Sequence, residues 1–268
     1  MSPLSEMLIR QHLQKIGFQK PLNTHILSNV DSTNRYLKDL PRSAALDICC
    51  AETQTQGRGR FQREWFSPTG ENIYCSLRYF LGPDISTLSA LSLLISIAMM
   101  RTLENFDVAK GIGIKWPNDL WRQGKKLSGI LIESTPTREG YFAVVIGIGL
   151  NINSDLSKTH TQNKPWCSLY DITGQTFDRN AIIAQMIAQI DQHIQQFMHV
   201  GFEPFLKQWK QWDLLEGNAI EVLQAGVCVR GIASGVTING ELMVIDEHQK
   251  TKVLNCGETS IVATCART

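Results

Sequence analysis

The sequence predicts an α+β protein in two parts: residues 1–216 mix helices with strands, and residues 217–268 form a small all-β barrel. Three observations carry this. Ile182, Ile183, Met186, Ile187, Ile190, Ile194 and Phe197 recur at helical spacing. Residues 142–153 (FAVVIGIGLNIN) are almost wholly apolar, the pattern of a strand buried on both faces. Beyond Gly217, short β-type runs at 219–223, 227–233, 241–246, 252–254 and 260–264 are separated by Gly and Asn turn signals, the texture of a small barrel.

The elements follow in order. Residues 4–16 hold Leu4, Leu8, Ile9, Leu13 and Ile16 at helical spacing, with Gly17 where a helix stops. Residues 25–30 predict a strand. Ser32, Thr33 and Asn34 then supply N-cap chemistry for a helix that Pro41 halts. Residues 44–51 predict a buried strand, in which Cys49 and Cys50 serve as small core residues. Strands are expected at 72–80 and 113–116, with an apolar-faced helix at 88–106 between them. Gly124 marks a hairpin turn into a strand at 127–133. Residues 154–168 read as irregular, with Pro165 among them. The helix at 179–199 is followed by Phe202, Phe205, Trp209 and Trp212, which read as core aromatics.

Composition narrows the function classes. A formal net charge of +1 gives no global electrostatic case for nucleic acid or an anionic membrane. The apolar stretch at 88–100 is too short to span a bilayer. Seven cysteines, an odd number with no C-x-x-C pair, fit free thiols in a reducing cytoplasm. His193 and His199 have no partners at metal-ligand spacing.

Four sets of residues stand apart from core and turn needs. Residues 52–66 (ETQTQGRGRFQREWF) place Gln54 before a loop in which Gly57 and Gly59 alternate with Arg58 and Arg60, and Arg63 follows. Glycine permits close backbone approach, and arginine offers a planar fork for phosphate or carboxylate, so a cationic lid over an anion is one reading. A basic surface connector is the other. Ser32-Thr33-Asn34 reads as polar ligand contacts or as an N-cap. Lys115-Trp116-Pro117-Asn118-Asp119, with Lys126 soon after, reads as a strand ending in groups for Mg²⁺ or a base edge, or as a plain turn. Gly147-Ile148-Gly149-Leu150-Asn151 is a buried strand whose glycines mark close approach by a ligand or another backbone. No phosphate-binding G-x-x-x-x-G-K-[ST], dinucleotide G-x-G-x-x-G or G-x-S-x-G elbow occurs. Together the sets describe a cationic site without a nucleophile–base pair, suited to chemistry at phosphorus.

Ser32-Thr33-Asn34, Gly57-Arg58-Gly59-Arg60, Trp65-Phe66-Ser67-Pro68, Lys115 to Asp119, Lys126-Leu127-Ser128-Gly129-Ile130-Leu131-Ile132-Glu133 and Gly147 to Asn151 occur in the order found in bacterial biotin protein ligases, and the chain resembles that family from about residue 26 onward. The resemblance implies a mixed sheet with flanking helices, related to class II aminoacyl-tRNA synthetases and lipoate ligases, and an SH3-like C-terminal barrel. It implies that biotin and Mg·ATP give biotinyl-5′-adenylate, which then acylates one lysine of a biotin carboxyl carrier domain. Ser32, Thr33, Asn34, Gln54, Gly57, Gly59, Gly129, Gly147 and Gly149 resemble biotin contacts. Arg58, Arg60 and Lys126 resemble the cations at the carboxylate and phosphate. Arg63, Trp65, Lys115, Asn118, Asp119 and Asn151 resemble the ATP side, with Asp119 toward Mg²⁺ and a candidate to help deprotonate the carrier lysine. The resemblance also implies a cytoplasmic monomer or weak homodimer.

Two departures stand out. About thirty residues precede Ser32, too few for a DNA-reading helix-turn-helix, so a ligase without repressor function is expected. Val262 stands where relatives often carry arginine, and Phe61-Gln62-Arg63 is less basic than the Arg-Gly-Arg of relatives. A lipoate or octanoate transferase of the same superfamily and a non-enzymatic biotin sensor are the rival readings.

Overall fold

A computed structural model gives the fold and describes residues 2–82, 88–155, 166–224 and 226–262. Pro165, Cys265 and the end of the expected strand at 260–264 lie outside the described residues. The larger part is a seven-stranded mixed sheet built from β1 (Leu22–Leu27), β2 (Leu46–Ala51), β3 (Ile73–Leu81), β4 (Gly113–Lys115), β5 (Asp119–Arg122), β6 (Lys125–Pro136) and β7 (Phe142–Leu150). Its order is β1-β2-β3-β7-β6-β5-β4; β1 and β2 run parallel and every other pair antiparallel.

Strand alternation gives the sheet two faces with different work. On one face Ile48, Cys50, Ile73, Cys75, Leu77, Val144, Ile146 and Ile148 join the main core with α1 (Glu6–Lys15), α3 (Leu88–Glu104) and α5 (Arg179–Val200). On the other face Cys49 and Val145 pack against Leu37 of α2 (Thr33–Asp39). Along the rest of that second face the registered residues Ser76, Gly147 and Leu131 form one row, and Tyr74, Gly149 and Gly129 the next. Small residues leave this region of the sheet concave, and the candidate site lies there.

The expected helices at 4–16, 33–40 and 88–106 are present with ends trimmed by one or two residues, and the helix at 179–199 runs one residue longer, to Val200. Ser5 caps α1 through a contact from the Leu8 N–H at 3.4 Å. Differences concentrate in short or half-buried elements. β1 begins at Leu22 and ends at Leu27, where a strand at 25–30 was expected, because all six of its residues are only half-buried and show no apolar alternation. β7 ends at Leu150; beyond it the Asn151 N–H donates to the Leu127 carbonyl of β6, and the Asn153 N–H to the Glu71 carbonyl of the loop before β3. β5 and the five-residue α4 (Leu169–Thr173), fixed by a Ser168/Asp171 capping box, were not expected. A short α6 (Leu206–Trp212) carries the buried Trp209 and Trp212.

β8 (Ala219–Gln224), β9 (Val227–Val236), β10 (Leu242–Ile245), β11 (Thr251–Leu254) and β12 (Glu258–Ile261) form the C-terminal antiparallel sheet, ordered β11-β10-β9-β8-β12, in keeping with an SH3-like unit. Its inward residues Ile220, Val222, Ala233, Leu242 and Val244 continue the main core. It is seated on the larger sheet at Trp116: the indole N–H donates to the Gly240 carbonyl at 3.0 Å, and the Thr259 hydroxyl donates to the Trp116 carbonyl at 3.0 Å.

The six described cysteines are all free. Cys50 and Cys75 face each other across β2 and β3 with sulfurs 3.2 Å apart. Burial pushes the Cys49 thiol well up and the Cys167 thiol up to about 11. Among the described residues no helix is long and apolar enough to cross a membrane.

Candidate active site

The concave face and the loops around it enclose a cavity of about 600 Å³. Sixteen of the eighteen sequence-predicted site residues line it: Ser32, Thr33, Asn34, Gln54, Arg58, Gly59, Arg60, Arg63, Trp65, Lys115, Asn118, Asp119, Lys126, Gly129, Gly147 and Gly149. Gly57 and Asn151 are not among the lining residues.

The polar end is built by the start of α2. The Thr33 N–H donates to Gln54 Oε1 at 2.9 Å, which ties the helix start to the loop after β2. Ser32 occupies the N-cap position with extended backbone yet makes no side-chain cap bond, so its hydroxyl is not used by the helix. Asn34 lies over Gly147, where a Cβ would collide with its amide.

The other end is aromatic and cationic. The Trp65 indole lies on Gly149, and a Cβ on Gly129 would approach it to 2.9 Å. Both glycines are therefore occupied by a side chain of this chain. Lys126 Nζ sits 2.8 Å from Asp119 Oδ1 and 5.4 Å from the Trp65 ring centre. Lys115 stands over the Trp121 ring at 4.2 Å. The indole N–H groups of Trp65 and Trp121 are buried and make no hydrogen bond within the chain. Such orphaned donors are uncommon in native structures, and an acceptor-rich ligand in the cavity would satisfy them. Burial lowers the pKa of Lys115 and Arg60, with Asp119 opposing the shift for each. Both cations are thus held partly desolvated, which strengthens their attraction for an incoming anion.

The arginine loop crosses the cavity as a narrow hairpin. Gly59 N–H donates to the Arg63 carbonyl at 2.7 Å and Trp65 N–H to the Gly57 carbonyl at 2.9 Å. Phe61 and Gln62 form its tip with φ of 55° and 60°, a left-handed conformation unusual for such residues. The C-terminal sheet holds the loop: Arg60 Nη1 donates to the Gly257 carbonyl at 3.4 Å, and Arg63 Nη2 lies 2.6 Å from Glu258 Oε2. Arg58 Nη1 donates to Gln62 Oε1 at 3.3 Å, within the loop.

Two expected ATP-side amides are engaged in the fold. Asn118 Nδ2 donates to the Ile130 carbonyl. Asn151 Nδ2 donates to the Cys167 carbonyl at 3.1 Å, which holds the strand segment beside Lys126. Sequence reasoning missed Trp121, Glu258 and Thr259 as lining residues, and Ser76 beneath Thr33 and Asn34. Trp121 was legible as the second residue after Asp119 on the same strand face; Glu258 and Thr259 arrive only through packing of the C-terminal sheet.

Gly149→Ala tests the arrangement directly. The new methyl displaces Trp65 and is expected to weaken ligand binding in the cavity about tenfold or more, ~1.4 kcal/mol, read by titration calorimetry, with a smaller effect on thermal unfolding because Trp65 can swing into the cavity.

Residues 27–151 match the biotin/lipoate A/B protein ligase family. The chain is 34% identical over 220 residues to the bifunctional ligase/repressor BirA of Escherichia coli, covering 82% of this chain and 68% of that protein. It is 27% identical over 263 residues to the biotin–[acetyl-CoA-carboxylase] ligase of Mycobacterium tuberculosis, covering 96% and 95%. Among solved structures, biotin protein ligase from Aquifex aeolicus in complex with biotin and ATP superposes with a TM-score of 0.76 at 28% identity, covering 90% of this chain and 98% of that one. On this fold, this site and these relatives, the chain is a ligase and belongs to the biotin/lipoate A/B protein ligase family.

Proposed function

We propose that this protein is an ATP-dependent biotin protein ligase that makes biotinyl-5′-adenylate and transfers the biotinyl group to a lysine of a biotin carboxyl carrier domain in the cytoplasm. Residues 1–216 are assigned to catalysis and residues 217–268 to a C-terminal unit that completes the cavity wall. The observation that carries the reading is Lys126. Its ammonium stands at the Trp65 and Gly129 floor, held by Asp119, in the same cavity as Ser32, Thr33 and Gln54.

The chemistry follows from charge. Biotin's carboxylate and the ATP α-phosphate repel each other, and a lysine between them neutralises both and brings them in line. A carboxylate oxygen then attacks phosphorus and pyrophosphate leaves, so no catalytic Ser or Cys is needed. In the second step the neutral amine of the carrier lysine attacks the acyl carbon and AMP leaves. Arg58 and Arg60 are assigned to holding the mixed anhydride beneath the loop, where water is excluded. Trp65, Lys115 and Asn118 are assigned to the nucleotide, with Arg63 and Asn151 as supporting contacts.

Among the described residues no group of three or more His, Cys, Asp or Glu could hold a metal alone. Mg²⁺ at nucleotides is usually held by one or two carboxylates and the phosphates. Asp119 fits that pattern: its Oδ1 is buried and, apart from the Lys126 ion pair, has no well-aligned hydrogen bond. When bound, Mg²⁺ supplies further neutralisation of the phosphate charge.

The test is ATP-dependent transfer of labelled biotin to a carrier domain, beside a lysine-free carrier and with lipoate as competitor substrate. Label on the intact carrier alone supports the reading; equal transfer of lipoate, or biotin binding with no pyrophosphate release, replaces it by one of the rivals. Arg60→Gly is expected to speed adenylate dissociation about tenfold, through loss of one charge-assisted contact of ~1.5 kcal/mol or more. Release of labelled adenylate into a biotin chase measures it.

A further inference from the structure

A buried chain of hydrogen bonds runs behind the polar end of the cavity, from surface to wall. Lys38 Nζ lies 3.1 Å from Glu133 Oε1. Glu133 Oε2 accepts from Asn34 Nδ2 at 2.8 Å, and the same nitrogen also points toward the Leu131 carbonyl at 3.4 Å. Asn34 Oδ1 lies 2.6 Å from Ser76 Oγ, and Ser76 Oγ lies 2.7 Å from Thr33 Oγ1. Thr33 Oγ1 is 3.1 Å from Gln54 Oε1. Ser76 is fully buried, and Thr33 and Asn34 nearly so.

The direction of every bond in this chain is set at its outer end. A carboxylate only accepts. Glu133 and the Leu131 carbonyl therefore fix the amide of Asn34 with its NH₂ outward and its oxygen toward Ser76. That oxygen also only accepts, so the single proton of Ser76 must go to it. Ser76 then has only lone pairs to offer Thr33, and the Thr33 proton goes to Ser76. This uses the two short contacts and leaves the longer one to Gln54, whose oxygen already receives the Thr33 N–H. The proton of Thr33 is thus directed into the wall, and what its hydroxyl can still offer the cavity is a lone pair.

We infer that Ser76 and Glu133 are positioning residues that set the hydrogen-bond polarity of this wall, so that Thr33 presents an acceptor and selects a ligand ring bearing an N–H. This deepens the proposed function and rests on it: a cyclic urea carries two ring N–H donors, whereas a dithiolane carries none. Neither Ser76 nor Glu133 is required to touch the ligand. Their effect passes through the orientation of Asn34 and Thr33.

The test uses the whole chain and measures dissociation constants for biotin and for its two cyclic-carbamate analogues, in each of which one ring N–H is replaced by oxygen. Two variants are compared with the parent. The charge swap Lys38→Glu with Glu133→Lys keeps the ion pair but puts a donor against Asn34, which turns its amide and reverses the chain. Ser76→Ala breaks the chain in the middle. The parent is expected to prefer biotin over one carbamate by tenfold or more, and both variants to lose most of that preference while KM for ATP stays within about twofold. A preference unchanged in both folded variants overturns the inference, as does a parent that binds both carbamates as well as biotin. A parent that transfers no biotin at all fails the functional reading instead, so the two failures are distinct.

Discussion

Lys126→Ala is expected to lower adenylate synthesis by about 10³-fold or more, while biotin binding weakens far less. Removing one preorganised electrostatic contact from a transition state typically costs 10²–10³ in rate. Here the loss is larger, because Asp119 is then left without its cation 2.8 Å away and adds a negative charge beside the phosphates. The neighbouring cations do not replace it: Lys115 is held over Trp121, and Arg60 is turned to the Gly257 carbonyl. Pyrophosphate release under saturating biotin and ATP measures the effect, and full release by the variant would remove Lys126 from the role assigned to it. Lys126→Arg is expected to recover little, since the Trp65 and Gly129 floor fits a narrow ammonium and not a planar fork.

The largest effect on stability is expected at Arg78→Met. Both Arg78 and Asp47 are 3% exposed and lie 2.6 Å apart. The guanidinium also donates to the carbonyls of Leu37, Leu40 and Pro41 at 2.6–2.7 Å, which are the free acceptors at the end of α2. Removing it strands a buried carboxylate and three carbonyls, a loss of about 3–5 kcal/mol, or a fall in Tm of roughly 6–20 °C for a protein of this size. Thermal unfolding followed by calorimetry reads it; a fall of under about 3 °C would contradict the buried-charge argument. Adding Asp47→Leu to Arg78→Met is expected to restore only part of the loss. It removes the stranded carboxylate but leaves the carbonyls unmet. Because the same helix begins with Thr33 and Asn34, biotin affinity is expected to fall with stability.

How much of this was legible follows from how much local chemistry each element carries. α5 could be read because seven apolar residues mark one stripe, and β7 because its run is apolar throughout. β5 could not: it is four residues long, and the Pro-Asn-Asp before it is good turn chemistry. α4 left only its capping box as a signal. In the site, the glycines of β7 were expected to mark close approach by a ligand or another backbone; the structure instead sets side chains over both. What approaches them is Asn34 and Trp65, and the pairing of β7 with β6 and β3 decides that, not any local pattern. Asn151 shows the converse limit. A motif assigned it to the ATP side, but the motif carried no sign of its bond to the Cys167 carbonyl, sixteen positions away, which holds the segment beside Lys126. The chain behind Thr33 was out of reach for the same reason, since Ser76 and Glu133 meet Asn34 only across three strands.

The strand order also governs the protein's synthesis. β1, β2 and β3 are contiguous in sequence and can pair as they emerge, but the next neighbour of β3 is β7, about sixty residues later. At roughly 5–20 residues per second, translation leaves the edge of β3 without its partner for about 3–12 s. During that interval Ile73, Cys75 and Leu77 stand on a nascent three-stranded sheet whose open edge can pair with another chain. Aggregation during expression is therefore expected to depend on the pace of translation across the segment between β3 and β7, a sensitivity that is gone once β7 has covered the edge of β3.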